Sequence, residues 1–399
     1  MNIAIAQRLT LAHGIGGGME QQAATLSAGL AARGHQLQIF TTPHPRGLTA
    51  WEERGVPVLG VGPGSFRGYS QRWWDASYAA LASAHRQRPF DVIMSQSGGA
   101  LGYLARAERE LALGTVVVMH GTILGELHTR WEGRGTWRGL ARLAQLFAVG
   151  PPNLLRWRAA GRHAHGWIVL SSAMRDDLLR ENPLPPARVH IIHNGVDPER
   201  FRPDPALGAA TRARLGIAPD APLLLYAGRI EREKGVHVLL RAFATVRERL
   251  PQARLLIAGD GSYRAAIAAQ LGDGVTMLGA LPNEQIPALL AAADLFVLPT
   301  LCHEGFPMSV AEALASGVPV LASRKGGLVD AVLPGVTGEL LPPGDAAALA
   351  AAIIAPMTDP PRRDAMARAA RADALVRMSQ EQMVTKTEAV LAAAWKADV

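Results

Sequence analysis

Cysteine, lysine and long apolar runs are what this chain has least of. Cys302 is the single cysteine in 399 residues, so no internal disulfide can form, which fits a reducing cytoplasm. It stands beside His303, and a lone Cys-His pair offers too few ligands for a metal site; the thiol reads as a packed side chain. No apolar run reaches the roughly 18 residues that a membrane-crossing helix needs. The first residues, "NIAIAQ", enter a strand pattern directly, so no signal peptide is expected. Lysine occurs four times, at Lys234, Lys325, Lys386 and Lys396, among 41 basic residues. Arginine is therefore the default cation, and the net charge of +7 reflects composition and is no argument for a nucleic-acid partner. The same scarcity makes each lysine informative. No D-x-D pair occurs either, so a metal held between two acids is not expected.

At 399 residues the chain exceeds one ordinary core, and two domains of about 200 residues are expected. A proline-rich segment over 182–222 ("NPLPP", "RPDP", "APDAP") places the boundary near 197–220. In the N-terminal half, "NIAIAQ" is followed by Gly14, Gly16, Gly17 and Gly18, then by apolar residues at helical spacing (Ala23, Leu26, Leu30), then by the strand "QLQIFTT". This is a strand, glycine loop, helix, strand unit of the doubly wound type. A dinucleotide-binding reading fits poorly. In G-x-G-x-x-G register from Gly14 the third glycine is Met19, and the second strand ends in Thr41 and Thr42 where an acid would be needed for a ribose. Further on, "TVVVMHG" is strand-like and ends in His120, at the carboxyl end where open α/β sheets bind ligands.

In the C-terminal half, "APLLLYAGRIEREKGVHVLLRAFATV" reads as strand, loop and helix. The loop carries Arg229 and Lys234, a planar fork and a compact charge that together suit a diphosphate. The stretch Pro299–Pro319, "PTLCHEGFPMSVAEALASGVP", lies between the strand patterns "DLFVLP" and "PVLAS". Pro307 is expected at the first helical position, and the amides after it would favour an anion. Glu304 lies in the preceding loop. Glu312 lies about one and a half turns inside the helix among Val310, Ala311, Ala313 and Leu314, where a carboxylate is costly unless paired.

Between these regions, 129–163 holds seven arginines against one acid, with Trp131, Trp137 and Trp157 interleaved. That composition suits docking to an anionic membrane surface, against the competing account of an arginine-rich surface in a biased composition. Trp73-Trp74 beside Arg72 offers a smaller patch of the same kind.

Two glutamates with seven residues between them, the first followed by "GFP", resemble the signature of the retaining nucleotide-sugar glycosyltransferases of the GT-B fold, family 4 in particular. "GRIEREKG" resembles that family's diphosphate-binding loop, and "VVMHG" its histidine-bearing strand end. The resemblance covers most of the chain. It implies an α/β GT-B fold, two doubly wound Rossmann-like domains facing a central cleft. The domains would span 1–197 and 198–376, with a last helix, 377–399, crossing back onto the first. It implies catalytic roles for His120, Glu304, Arg229 and Lys234, with Glu304 on the donor sugar. Donor binding falls to Gly16, Gly17, Gly18, Arg229, Lys234, Gly305, Phe306, Pro307, Met308 and Glu312, the last on the ribose hydroxyls.

No metal and no cofactor are implied beyond a nucleotide-diphosphate sugar as co-substrate. The acceptor would be a glycan, a lipid-linked molecule or a small molecule, and the setting cytoplasmic or peripheral at the inner face of the membrane. A nucleotide-sugar epimerase on the same scaffold and a non-catalytic sugar-nucleotide-binding subunit are the alternative readings. The glutamate signature favours transfer over the first, and the intact Arg229, Lys234, Glu304 and Glu312 argue against the second.

Overall fold

The computed structural model describes residues 1–14, 17–62, 68–106, 111–132 and 154–396. The chain divides into two compact units. Unit 1 comprises the described residues of Met1–Leu127, Ala141–Gly195 and Gln380–Val399; unit 2 comprises those of His128–Leu140 and Val196–Ser379.

Among the described residues, unit 1 is built on an eight-stranded sheet in the order β3-β4-β2-β1-β5-β6-β7-β8. Its strands are β1 (Asn2–Ala6), β2 (Gln36–Thr41), β3 (Ala50–Glu53), β4 (Val56–Gly60), β5 (Val92–Gln96), β6 (Gly114–Val118), β7 (Gly166–Val169) and β8 (Val189–Ile191). All neighbours run parallel except the edge pair β3 and β4. Central parallel strands are covered on both faces, so β5 and β6 are buried throughout and read as near-continuous apolar runs. One core cluster joins Ile3, Ile5, Ile39, Val92, Met94 and Val116 to Met383, Val384 and Leu391 of the last helix, Gln380–Lys396, so this helix packs into unit 1.

Unit 2 has, among its described residues, a six-stranded, all-parallel sheet in the order β11-β10-β9-β12-β13-β14. Its strands are β9 (Leu223–Ala227), β10 (Arg254–Ala258), β11 (Val275–Gly279), β12 (Leu295–Leu298), β13 (Val320–Ser323) and β14 (Gly338–Leu341). Each unit therefore has one place where the strand order reverses: between β1 and β5 in unit 1, and between β9 and β12 in unit 2. Open α/β sheets bind ligands outside the carboxyl ends of the strands at such points.

Trp73 and Trp74 do not form a surface patch. Both are buried, at 0% and 7% exposure, on the helix Gln71–Gln87. Room for Trp74 comes from Gly102. The Trp74 indole N–H donates to the Gly98 carbonyl at 2.9 Å, and a Cβ on Gly102 would lie 2.6 Å from that of Trp74.

Candidate active site

The reversal point of unit 2 brings two loops together. β9 ends at Ala227 and feeds the loop Gly228–Gly235; β12 ends at Leu298 and feeds 299–307. Gly235 has a left-handed backbone (φ 72°), and a Cβ there would lie 1.9 Å from the Pro299 carbonyl oxygen, so only glycine lets the loops touch. The Leu301 and Cys302 amides both donate to the Glu233 carbonyl, at 2.7 and 3.2 Å. On the other side, Lys325 Nζ donates to the Leu301 carbonyl at 2.8 Å, and the Gly327 amide to that of Glu304 at 2.7 Å. The loop carrying Glu304 is thus held from both flanks.

Within it, Lys234 Nζ lies 2.6 Å from Glu304 Oε1, with the side chains 15% and 12% exposed. The same oxygen accepts from the Thr300 hydroxyl at 3.0 Å and the Cys302 thiol at 3.4 Å. Burial alone would raise the Glu304 pKa. The Lys234 charge and the hydrogen bonds from Lys234, Thr300 and Cys302 outweigh it and hold the carboxyl below the usual carboxylate range. Burial likewise works against the Lys234 ammonium, but Glu304 more than offsets this and raises its pKa. Burial, reinforced by the Glu304 charge, pushes the Cys302 thiol up to about 11, so it stays protonated and can donate.

All three side-chain donors converge on Oε1. Among the described residues no donor reaches Oε2. Sequence reasoning placed Lys234 on a diphosphate; here one of its three donors is engaged by Glu304. It also missed Thr300 and Cys302, although their spacing of four and two residues before Glu304 was the available signal. Arg229 is exposed and forms no ion pair with a described residue.

Pro307 stands at the N-cap, one residue before the position expected for it, and the helix runs Met308–Ala315. Among the described residues, the Met308 and Ser309 amides have no acceptor, so the positive end of this helix is open to an anion. Gly305 is half-buried and Phe306 is packed inward at the same turn. Glu312 is 6% exposed, and no described side chain hydrogen-bonds to it. Burial raises its pKa to about 7, with Arg200 opposing only in part. An enclosed carboxylate without a donor is the state expected of a group whose hydrogen-bond donors arrive with a ligand.

In unit 1, His120 follows the end of β6, and its Nε2 lies 2.7 Å from Gln96 Oε1. Burial pulls its pKa down to about 4, so the ring is neutral at ordinary pH. Gly17 caps the helix Gly18–Ala32, and its amide donates to Glu20 Oε2 at 2.8 Å, a capping-box contact that the spacing to Glu20 could have announced. Gly16 lies outside the described residues.

Of the stretch 129–163, residues 133–153 lie outside the described residues. The described part of its second half packs on unit 1. Arg156 lies over the Trp74 ring at 4.8 Å, Trp157 meets Trp167 at 5.6 Å between ring centroids, and Arg158 Nε donates to the Glu181 carbonyl at 2.6 Å.

Comparison with known proteins identifies the family. Residues 209–373 match the family model for glycosyl transferases group 1, and residues 16–200 that for Glycosyltransferase Family 4. The chain is 32% identical over 387 residues to a D-inositol 3-phosphate glycosyltransferase of Streptomyces scabiei, covering 90% of this chain and 83% of the relative. Among solved structures it is similar to sucrose-phosphate synthase from Thermosynechococcus elongatus, with TM-score 0.81, 24% identity and 99% of each chain covered. It is also similar to Anabaena HepE in complex with UDP, with TM-score 0.79 and 21% identity over 98% of this chain and 100% of that one. The two doubly wound α/β units, the two family models and the relative matched over 90% of this chain lead to one conclusion: this chain is a glycosyltransferase of the GT-B fold, a member of family 4.

Proposed function

We propose that the chain transfers a sugar from a nucleotide-diphosphate sugar to an acceptor hydroxyl with retention of anomeric configuration and without a metal ion. The observation that carries this reading is the buried Lys234–Glu304 pair at the reversal point of unit 2, with Oε2 of Glu304 free for a ligand. Cleavage of the donor leaves negative charge on the diphosphate. Arg229, the second and third donors of Lys234, and the free amides of Met308 and Ser309 are the groups that meet it. Charge-assisted hydrogen bonds of this kind contribute about 1.5–3 kcal/mol each, and more where they tighten as the charge develops. Glu304 reads the sugar, Glu312 the ribose, and Gly305, Phe306 and Pro307 shape the turn between them. Gly16, Gly17, Gly18 and His120 serve the donor from unit 1. The donor class is supported by Anabaena HepE, a protein of the same fold that was solved in complex with UDP.

Retention rests on family membership, and metal independence on the basic groups named above. Donor consumption in the presence of EDTA tests the second point. Turnover is expected to persist at its uninhibited rate; loss on chelation, restored by magnesium or manganese, would overturn metal independence.

The protein is assigned to the cytoplasm, docking through 129–163 to an anionic membrane face where the acceptor is lipid-linked. Each arginine near such a surface contributes about 1 kcal/mol, and salt at 1 M shortens the Debye length to about 3 Å. Flotation with anionic vesicles is expected at low salt and lost at high salt. Absence of flotation, or flotation unchanged after Arg138, Arg142, Arg156 and Arg158 are replaced by Gln, makes a soluble acceptor the correct assignment.

A further inference from the structure

β9 stands beside β12 at the reversal point of the unit 2 sheet, and all five of its residues are buried. Leu223, Leu224, Leu225 and Ala227 bring no polar side-chain atom into the sheet. Tyr226 brings one hydroxyl, at 0% exposure. A hydroxyl placed there without a hydrogen-bond partner is costly, and phenylalanine would fill the same space without that cost. Burial first, then the negative charge of Glu304, pushes the Tyr226 pKa far above the ordinary tyrosine range, so the phenol stays protonated and donates.

Its acceptor is the Arg229 carbonyl, at 2.7 Å. The side chain passes close to Gly228, where a Cβ would stand 3.3 Å from the phenol oxygen. The other end of the same peptide group is held as well. The Ile230 amide donates to the Asp260 carbonyl at 2.8 Å, and the Tyr263 amide donates back to the Ile230 carbonyl at 2.9 Å. Glycine permits this approach, since a Cβ on Gly261 would lie 2.4 Å from the Ile230 carbonyl oxygen.

One planar peptide unit is thus pinned at its carbonyl by Tyr226 and at its N–H by Asp260. That fixes ψ of Arg229 and φ of Ile230. Ile230 is turned inward and buried, and Arg229 is left exposed, with its Cα–Cβ direction set by this peptide. No ion pair with a described residue holds the guanidinium, so its placement depends on the backbone that carries it.

We infer that Tyr226 is a positioning residue for Arg229: its hydroxyl holds the Arg229 carbonyl so that the guanidinium is presented to the diphosphate of the donor. The inference deepens the reading of Arg229 as a diphosphate-binding group and rests on it, adding a buried side chain that itself touches no substrate. Packing alone would make the two residues independent of one another. Positioning makes them one unit, whose losses do not multiply.

Calorimetry with UDP, GDP and ADP on the wild type, Tyr226→Phe, Arg229→Ala and the double variant, with a thermal melt of each, separates these accounts. For whichever nucleotide the wild type binds, Tyr226→Phe is expected to weaken binding about tenfold, and Arg229→Ala by at least as much. The double variant should bind no more than about twofold more weakly than Arg229→Ala alone. Any Tm change caused by the phenylalanine should be the same in both backgrounds, since it reports packing and not presentation. Wild-type affinity in Tyr226→Phe, or a loss that multiplies in full with that of Arg229→Ala, would overturn the inference. If no nucleotide binds the folded wild type, or Arg229→Ala binds as the wild type does, the donor reading of Arg229 fails and this inference falls with it. If Arg229→Ala is impaired and Tyr226→Phe is not, only this inference fails.

Discussion

Lys234→Ala is expected to lower sugar transfer by roughly a hundredfold or more. The same change leaves Glu304 buried without its counter-charge, and breaking a buried pair by removing one partner costs about 3–5 kcal/mol of stability. Both effects follow from one contact, Lys234 Nζ to Glu304 Oε1 at 2.6 Å. They can be separated. Lys234→Met combined with Glu304→Gln removes both charges together, so stability should largely return while transfer stays low. Arg229→Ala supplies the contrast: Arg229 is exposed and forms no ion pair with a described residue, so its loss should reduce transfer by a comparable factor with Tm unchanged. The pH dependence has a definite sign. The folded pKa of Glu304 lies below its unfolded value, so its stabilisation is present above the unfolded value and is lost as pH falls through the folded one. Steady-state kinetics and thermal melts of the four proteins check this set. Near-normal turnover in both single variants would remove these residues from the diphosphate site.

Glu312→Gln is expected to move stability and nucleotide affinity in opposite directions. The Glu312 pKa is raised from its ordinary 4.5 to about 7 by burial. A raised acid contributes fully below the unfolded pKa and loses its contribution as pH climbs from about 4.5 through 7. A difference of that size corresponds to as much as roughly 3 kcal/mol at pH 8. The neutral glutamine escapes this cost, so the ligand-free variant should melt higher at pH 8 and match the wild type at pH 4. Ribose hydroxyls donating to the ionised carboxylate would draw its pKa down, so nucleotide binding near pH 6 should release up to about one proton in the wild type. Calorimetry in buffers of different ionisation enthalpy reads that release, and the variant should show less of it together with weaker binding. Glu304→Ala should instead spare free nucleotide diphosphate and impair use of the sugar. Equal losses of free-nucleotide affinity in both variants would contradict this division of labour.

Much of this site was legible in the sequence because its chemistry requires unusual residues in unlikely places. A lysine among arginines marked Lys234, and a carboxylate among alanines, valine and leucine marked Glu312. The parallel strands were legible for a related reason, since a strand covered on both faces, such as β6 or β9, is apolar on nearly every residue. What could not be read depends on residues far apart in the chain. The Lys234–Glu304 contact joins loops 70 residues apart. Trp73 and Trp74 looked like a surface patch because what covers them comes from elsewhere in the chain, as with Gly102, whose missing side chain makes room for Trp74. Thr300 and Cys302 carry no charge, and their role appears only once Glu304 is seen to turn back onto them.

The central claim is that unit 2 is a nucleotide-diphosphate-sugar site serving retaining transfer. The most direct test is proton NMR of the wild-type chain incubated with UDP-, GDP- and ADP-sugars and a set of hydroxyl acceptors, following the anomeric signals. The account predicts consumption of one donor, release of its nucleoside diphosphate, and first appearance of the transferred sugar in the donor's own anomeric configuration. A folded protein that consumes none of these donors, or a first product of inverted configuration, would contradict it.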